Sequence, residues 1–119
     1  MAEILVLDDV LDAAVLIEKI LKKKGHTVHP FIEEDEALAF AEKMPVDLAI
    51  LDISLRRISG IEVLARLKHI RPRMRAIMLT GYPSAETARE AASLGADHYC
   101  AKPIDRHELE EKVEEVLNR

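Results

Sequence analysis

The stretch LVLDDV, residues 5–10, places two adjacent carboxylates, Asp8 and Asp9, directly after an apolar run. A short apolar run of this kind is typical of a strand that is buried on both faces of a parallel sheet. Two neighbouring anions repel each other, and each loses solvation if the chain end is partly buried. A simple turn could have used Gly, Asn or Ser instead. The pair therefore indicates that a positive group binds at the end of the first strand.

Short apolar runs alternate with amphipathic segments along the rest of the chain. We predict strands over residues 4–7, 26–31, 46–51, 76–79 and 98–101. Helical spacing and capping signals predict a helix after each strand, over residues 13–24, 33–43, 61–71, 84–95 and 105–117. The first helix should present an apolar face made of Ala13, Leu16, Ile17, Ile20 and Leu21. Five repeats of strand and helix predict a doubly wound α/β fold, with helices on both faces of a five-stranded parallel sheet.

The composition is that of one globular domain. The 119 residues are 49% hydrophobic and 33% charged, which predicts a single domain over residues 1–119 with a real hydrophobic core. A net charge of −5 argues against general affinity for nucleic acid. Cys100 is the only cysteine, no segment approaches transmembrane length, and no signal peptide is recognisable. We therefore expect a cytoplasmic domain that does not bind membranes.

Polar side chains end four of the five predicted strands. Asp8 and Asp9 end the first, Asp52 the third and Thr80 the fourth, while Lys102 follows the fifth. Open α/β sheets bind ligands beyond the carboxyl ends of their strands, so these side chains should share one edge. The second strand ends near Phe31 without such a group, which fits a strand at the edge of the sheet.

The residue types at this edge suit phosphoryl chemistry that depends on a metal. Clustered carboxylates offer the oxygen ligands that Mg²⁺ prefers, and the ion relieves their repulsion. Lys102 supplies a positive charge for a phosphate, and the Thr80 hydroxyl supplies a hydrogen bond. A carboxylate that is not fully neutralised could attack phosphorus and form an aspartyl phosphate.

This ordered set resembles the receiver domain of bacterial response regulators, the phosphoacceptor module of two-component signalling systems. The resemblance is carried by Asp8-Asp9, by Asp52 within LAILDISL, by Thr80-Gly81 and by Lys102-Pro103, and it covers essentially all 119 residues. It implies a flavodoxin-like three-layer sandwich with strand order 2-1-3-4-5.

The resemblance also implies a role for each acidic residue. Asp52 would be the phosphoacceptor, and Lys102 would contact the phosphoryl oxygens. Asp8, Asp9 and Asp52 would bind Mg²⁺ together with the backbone carbonyl of Ser54. The domain would assist its own phosphorylation and dephosphorylation but would not be an enzyme with a separate substrate.

Thr80 and Tyr99 would form the switch that the resemblance implies. Thr80 would move to bond the phosphate, and Tyr99 would then turn inward and change the face made by the fourth helix, the fifth strand and the fifth helix. A cis peptide bond between Lys102 and Pro103 is also implied. Receivers often carry proline soon after the phosphoacceptor, where this chain has Arg56 and Arg57. That departure would make the loop more mobile or let it meet an acidic partner.

The implied partners are those of a phosphorelay. A sensor histidine kinase or a histidine phosphotransfer protein would donate the phosphoryl group, and a downstream effector domain or protein would respond to it. The sequence leaves open whether the domain stands alone and whether phosphorylation drives homodimerisation. No direct contact with nucleic acid is expected from this domain.

Three other functions fit parts of the pattern. A receiver that signals without phosphate would have no need to keep Asp8, Asp9, Asp52 and Lys102 together. A flavodoxin-like cofactor carrier would need a hydroxyl-rich loop after the first strand, where Asp8 and Asp9 would repel the FMN phosphate. A phosphatase with an aspartyl nucleophile typically needs a second acid two residues later, and Ser54 stands there.

Overall fold

Strands and helices alternate along the chain in the predicted order. The computed structural model describes all residues, 1–119. The strands are β1 (Glu3–Leu7), β2 (Thr27–Phe31), β3 (Leu48–Asp52), β4 (Arg75–Thr80) and β5 (His98–Ala101). The helices are α1 (Leu11–Lys22), α2 (Glu34–Lys43), α3 (Gly60–Ile70), α4 (Ala85–Ser93) and α5 (Arg106–Leu117). The strands form one parallel sheet in the order β2-β1-β3-β4-β5, which confirms the predicted fold and strand order.

The hydrophobic core lies in two layers, one on each face of the sheet. Along β1, Ile4 and Val6 join one buried cluster, whereas Leu5 and Leu7 join the other. This alternation follows from the two-residue repeat of a strand. The first cluster includes residues of α1 and α5, and the second includes residues of α2, α3 and α4. The sheet is therefore covered on both faces, as the apolar character of its strands predicts.

The apolar face of α1 is narrower than the sequence predicts. Ala14, Ile17 and Leu21 are buried, but Leu16 is 59% exposed. Leu16 lies one residue before Ile17, which places it about 100° around the helix and away from the sheet. Spacing alone assigned it to the wrong face.

The helix ends follow local backbone chemistry. Gly25 and Gly95 follow α1 and α4 with φ of 91°, a conformation that glycine adopts without strain. At the start of α5, Asp105 accepts a hydrogen bond from the Glu108 N–H (3.2 Å). The Glu108 side chain lies against Lys112 (3.5 Å), so the reciprocal side-chain bond of a capping box does not form. No helix combines the length and the hydrophobicity needed to cross a membrane.

Candidate functional site

Three carboxylates meet where β1 and β3 end side by side. Asp8 directly follows β1, Asp9 is the next residue, and Asp52 is the last residue of β3. Each offers a carboxylate oxygen, and these oxygens all lie within 4.8 Å of one another. Asp8 and Asp52 are buried, with 1% and 5% of their surface exposed, and Asp9 is partly exposed. This arrangement suits a hard divalent cation.

Lys102 connects two of these carboxylates. Its Nζ donates to Asp8 Oδ2 (2.7 Å) and to Asp52 Oδ2 (3.1 Å), although Lys102 follows β5 at the far side of β4. The other oxygens are held by backbone N–H groups two residues along: Val10 donates to Asp8 Oδ1 (2.9 Å) and Ser54 to Asp52 Oδ1 (3.1 Å). Both carboxylates therefore have fixed orientations.

The electrostatics of the cluster favour a bound cation. Burial raises the pKa of the Asp52 carboxyl above its ordinary value, and the hydrogen bonds from Lys102 and Ser54 oppose this only in part. Burial lowers the pKa of Lys102, but the bonds to Asp8 and Asp52 outweigh it, so the net direction is upward. Lys102 is thus charged at neutral pH, whereas ionised Asp52 carries a desolvation cost that a nearby cation would offset.

Comparison with known proteins identifies the family to which this site belongs. A family model of the response regulator receiver domain matches residues 4–114. The chain belongs to this family. Receivers are phosphorylatable signalling switches of two-component systems, not classical enzymes, and they bind a divalent metal at an acidic cluster of this kind. The predicted family is therefore confirmed.

The receiver is similar to curated proteins of different lengths. It is 34% identical over 119 residues to regulatory protein VanRc of Enterococcus gallinarum, in an alignment that covers 98% of this chain and 50% of that protein. It is 31% identical over 115 residues to sporulation initiation phosphotransferase F of Bacillus subtilis, covering 97% of this chain and 93% of that one. The chain thus spans half the length of VanRc but nearly all of the phosphotransferase.

Solved receiver structures superpose closely on this chain. The response regulator receiver domain protein (CheY-like) of Methanospirillum hungatei JF-1 has a TM-score of 0.95 at 35% identity, covering 99% of this chain and 94% of that one. A response regulator from Burkholderia pseudomallei, solved with a phosphorylated aspartic acid, a calcium ion and citrate, has a TM-score of 0.86 at 31% identity. That match covers 100% of this chain and 75% of the other.

Thr80 and Tyr99 lie on neighbouring strands of the receiver but bond to different groups. Thr80, the last residue of β4, is 1% exposed, and its hydroxyl oxygen accepts from the Tyr82 N–H (3.0 Å). The Tyr99 hydroxyl accepts from the Ser84 N–H (2.9 Å) and bonds the Thr87 hydroxyl (2.6 Å) at the start of α4. Tyr99 is partly buried, and these hydrogen bonds hold its hydroxyl against the start of α4.

The Lys102–Pro103 peptide bond of the receiver is cis. It follows directly after β5, where the Lys102 N–H also donates to the Thr80 carbonyl (2.7 Å). That backbone bond fixes the start of the Lys102 side chain against the end of β4. The Ser54 N–H bonds Asp52, while a metal-ligand role for the Ser54 carbonyl stays a prediction.

The two arginines in the loop after β3 contact acids of the receiver itself. Arg56 Nε lies 3.8 Å from Asp9 Oδ2, with its side chain 83% exposed. Arg57 Nη1 lies 3.2 Å from Asp35 Oδ2 at the surface. The acidic groups that these arginines face are thus supplied within the chain, by α2 and by the carboxylate cluster.

Glu34 is a buried acid that sequence reasoning missed. It is the first residue of α2 and is only 5% exposed, although its neighbours Glu33, Asp35 and Glu36 are exposed. Acids are common in the first turn of a helix, because they interact well with the helix dipole. Because this explanation fits all four acids equally well, it does not distinguish Glu34, the only one of the four that is buried.

Proposed function

We propose that Asp52 accepts a phosphoryl group from a sensor histidine kinase or a histidine phosphotransfer protein, and that residues 1–119 form one receiver domain for this purpose. The observation that supports this best is Lys102, whose ammonium group bridges buried Asp8 and Asp52. A buried carboxylate beside a fixed positive charge is a suitable acceptor, because the charge can also stabilise the incoming phosphoryl oxygens.

The proposed transfer needs a phosphorylated imidazole on the donor protein and an acceptor carboxylate on this chain. A carboxylate oxygen of Asp52 forms a bond to phosphorus while the bond between phosphorus and the donor imidazole nitrogen breaks. Lys102 interacts with the phosphoryl oxygens, and Asp8, Asp9, Asp52 and the Ser54 carbonyl would hold Mg²⁺. The ion supplies charge neutralisation of the donor and acceptor oxygens. The domain assists its own phosphorylation and the later hydrolysis, and converts no separate substrate.

Thr80 and Tyr99 are the residues that we propose as the relay. A phosphoryl group on Asp52 offers acceptor oxygens that the Thr80 hydroxyl can bond, in place of its present bond with the Tyr82 N–H. Such a movement would shift the segment between β4 and α4, which ends at Ser84, and with it the first turn of α4, which includes Thr87. The Tyr99 hydroxyl bonds both residues. The face formed by α4, β5 and α5 would then change its packing.

A downstream effector domain or protein would respond to that face. Half of VanRc lies outside its alignment with this chain, whereas sporulation initiation phosphotransferase F is almost fully covered. A receiver that forms half of a longer regulatory protein and a receiver that makes up nearly the whole chain are therefore both represented among its relatives. We place the exchange in the cytoplasm, and we assign no direct contact with nucleic acid to this domain, whose net charge is −5.

Acetyl phosphate labelling tests the proposal. Incubation of the protein with Mg²⁺ and acetyl phosphate should add the mass of one phosphoryl group, stable to acid and labile to base, as measured by intact-mass spectrometry. Chelation of the metal should prevent the addition, because the charges at the site are then not neutralised. An intact mass that does not change in the presence of Mg²⁺ would refute the proposed function.

Tyr99→Phe tests the relay separately from the transfer. The change removes the hydroxyl that bonds Ser84 and Thr87, so we expect the free energy of unfolding to fall by about 1 kcal/mol. Labelling of Asp52 should persist, but the amide chemical-shift changes that phosphorylation causes in α4, measured by NMR, should be smaller than in wild type. Tyr82→Phe is the control, because Tyr82 is 83% exposed. Equal shift changes in Tyr99→Phe and wild type would exclude Tyr99 from the relay.

A further inference from the structure

The buried carboxylate of Glu34 bonds the backbone of a neighbouring loop. Its Oε1 accepts from the N–H of Arg57 (3.3 Å) and from the N–H of Ile58 (3.4 Å). Both donors belong to the segment of residues 53–59 between β3 and α3, which we call the β3–α3 loop. Glu34 therefore links the start of α2 to this loop across 23 and 24 residues of sequence.

The surroundings of Glu34 favour the ionised side chain. Hydrogen bonds from backbone N–H groups, its own first and then those of Ile58 and Arg57, lower the pKa of Glu34 below its ordinary value despite the opposing effect of burial. The positive end of the α2 dipole acts in the same direction. A buried carboxylate without such donors would be strongly unfavourable, so the N–H groups account for its presence here.

The two halves of the β3–α3 loop, residues 53–56 and 57–59, are held by different hydrogen bonds. The first half is tied to the sheet, because the Ile53 N–H donates to the Leu79 carbonyl of β4 (2.9 Å). The Leu55 and Gly60 N–H groups both donate to the Ile53 carbonyl, at 3.1 and 2.8 Å. The N–H groups of Arg57 and Ile58, in the second half, bond Glu34. Glu34 thus anchors the backbone of the second half, whereas Asp35 contacts only the Arg57 side chain at the surface.

The same loop carries groups that belong to the acidic site. It begins directly after Asp52 and includes Ser54, whose N–H holds Asp52 Oδ1 (3.1 Å). It also includes Arg56, which lies 3.8 Å from Asp9. Residues 53–59 contain no proline, the residue type that would fix a backbone φ angle within the loop. Arg56 and Ser54 lie one and three residues before Arg57, so a displacement of Arg57 and Ile58 would be transmitted along the chain to groups beside two of the three clustered acids.

We infer that Glu34 is a positioning residue for the phosphoacceptor site. By holding Arg57 and Ile58, it fixes the β3–α3 loop so that Asp52 and the neighbouring Ser54 keep the geometry needed for the metal. This inference rests on the proposed function, since it concerns the metal and phosphoryl chemistry of the same site. Glu34 itself touches neither the metal nor the phosphoryl group.

Glu34→Ala and Glu34→Gln separate positioning from charge. Glu34→Ala removes the acceptor, and we expect it to weaken Mg²⁺ affinity by about tenfold, as is typical when a group that orients metal ligands is removed. Its labelling rate with acetyl phosphate should recover to within about threefold of wild type at saturating Mg²⁺, because the reacting groups are intact. Glu34→Gln keeps a side-chain oxygen that can accept from both N–H groups, so its Mg²⁺ affinity should stay within about threefold of wild type. The measurements are Mg²⁺ titrations followed by NMR and labelling rates at several Mg²⁺ concentrations.

Asp35→Asn is the matched control. Asp35 is the next acid along α2 and pairs with the Arg57 side chain at the surface, so its Mg²⁺ affinity should equal that of wild type. Equal affinities in Glu34→Ala and wild type would overturn the inference, as would a Glu34→Gln variant as defective as Glu34→Ala. Should Glu34→Ala fail to fold, Glu34→Asp takes its place: its shorter side chain should not reach both N–H groups, so its Mg²⁺ affinity should fall below that of Glu34→Gln, and equal affinities in these two variants would overturn the inference. A wild-type protein that binds Mg²⁺ but is not labelled would refute the proposed function, while the titrations would still test Glu34.

Discussion

Replacing Asp52 by Asn is expected to abolish labelling by acetyl phosphate and, in metal-free solution, to raise the free energy of unfolding by about 1 kcal/mol, as is common for a single stabilising change at a functional site. The loss of labelling follows because an amide has no carboxylate oxygen to attack phosphorus. The gain in stability follows because the desolvation of Asp52, which is 5% exposed, together with its repulsion by Asp8, outweighs the favourable bonds from Lys102 and Ser54. The ionised carboxylate that we propose as the phosphoacceptor therefore lowers the free energy of unfolding.

The pH dependence of this gain has a defined sign. Because burial raises the pKa of Asp52 in the folded protein, protonation of Asp52 stabilises the folded state. This contribution to the free energy of unfolding is fully present below the ordinary carboxyl pKa. That stability is lost as pH rises through the raised pKa of the folded state. Wild type and Asp52→Asn should therefore differ least in acid, and the advantage of the variant should grow towards neutral pH. Urea unfolding at several pH values measures the difference.

Two comparisons make the Asp52 experiment specific. Asp12→Asn changes an exposed carboxylate in the first turn of α1, outside the cluster, and should be labelled like wild type. Addition of Mg²⁺ should stabilise wild type more than Asp52→Asn, because the variant has lost a ligand of the acidic cluster. A variant labelled as strongly as wild type would remove Asp52 from the proposed role. A variant less stable than wild type at neutral pH without metal would contradict the electrostatic argument.

The part of the site that lies at strand ends could be predicted from sequence. An apolar run that stops at Asp8, another that stops at Asp52, and the parallel order of the strands are enough to bring these acids to one edge. Lys102 follows from the same reasoning, since β5 ends at that edge too. In each case the side chain is placed by regular backbone geometry, which the sequence pattern specifies.

The parts that depend on loop paths could not be predicted in this way. Four consecutive acids, residues 33–36, span the start of α2. Helical spacing puts Glu34 on the same face as buried Ala37 and Ala41, but the course of the β3–α3 loop, which brings N–H donors to its carboxylate, cannot be predicted from that spacing. The bonds of the Tyr99 hydroxyl to Ser84 and Thr87 likewise depend on how the segment after β4 turns into α4. Leu16 shows the corresponding limit for helices. Periodicity predicts that α1 has an apolar face, but it does not predict how much of that face is buried.

Gly60→Ala is expected to lower the free energy of unfolding by about 3 kcal/mol, the upper range for forcing extra volume into a packed site. Gly60 is the first residue of α3, and its backbone lies directly against the end of β3. A Cβ atom on Gly60 would lie 2.1 Å from the Asp52 carbonyl oxygen and 2.8 Å from both the Asp52 carbonyl carbon and the Ile53 Cα. All three atoms belong to the backbone of Asp52 and Ile53, so no side-chain rotation can relieve the contact.

The Gly60 experiment has a matched control in Gly81, which directly follows Thr80 at the same edge of the sheet. A Cβ atom on Gly81 would meet nothing within 4 Å, so Gly81→Ala should change stability by no more than about 0.5 kcal/mol. Chemical denaturation followed by circular dichroism compares the two variants. The Gly60 variant should also bind Mg²⁺ more weakly than the Gly81 variant, because two of the three atoms that the added Cβ meets belong to the Asp52 backbone. Equal stabilities would mean that α3 begins farther from β3 than this structure places it. Unequal stabilities with equal Mg²⁺ affinities would mean that α3 moves and the acidic site does not, and the close approach of Gly60 would then serve folding alone.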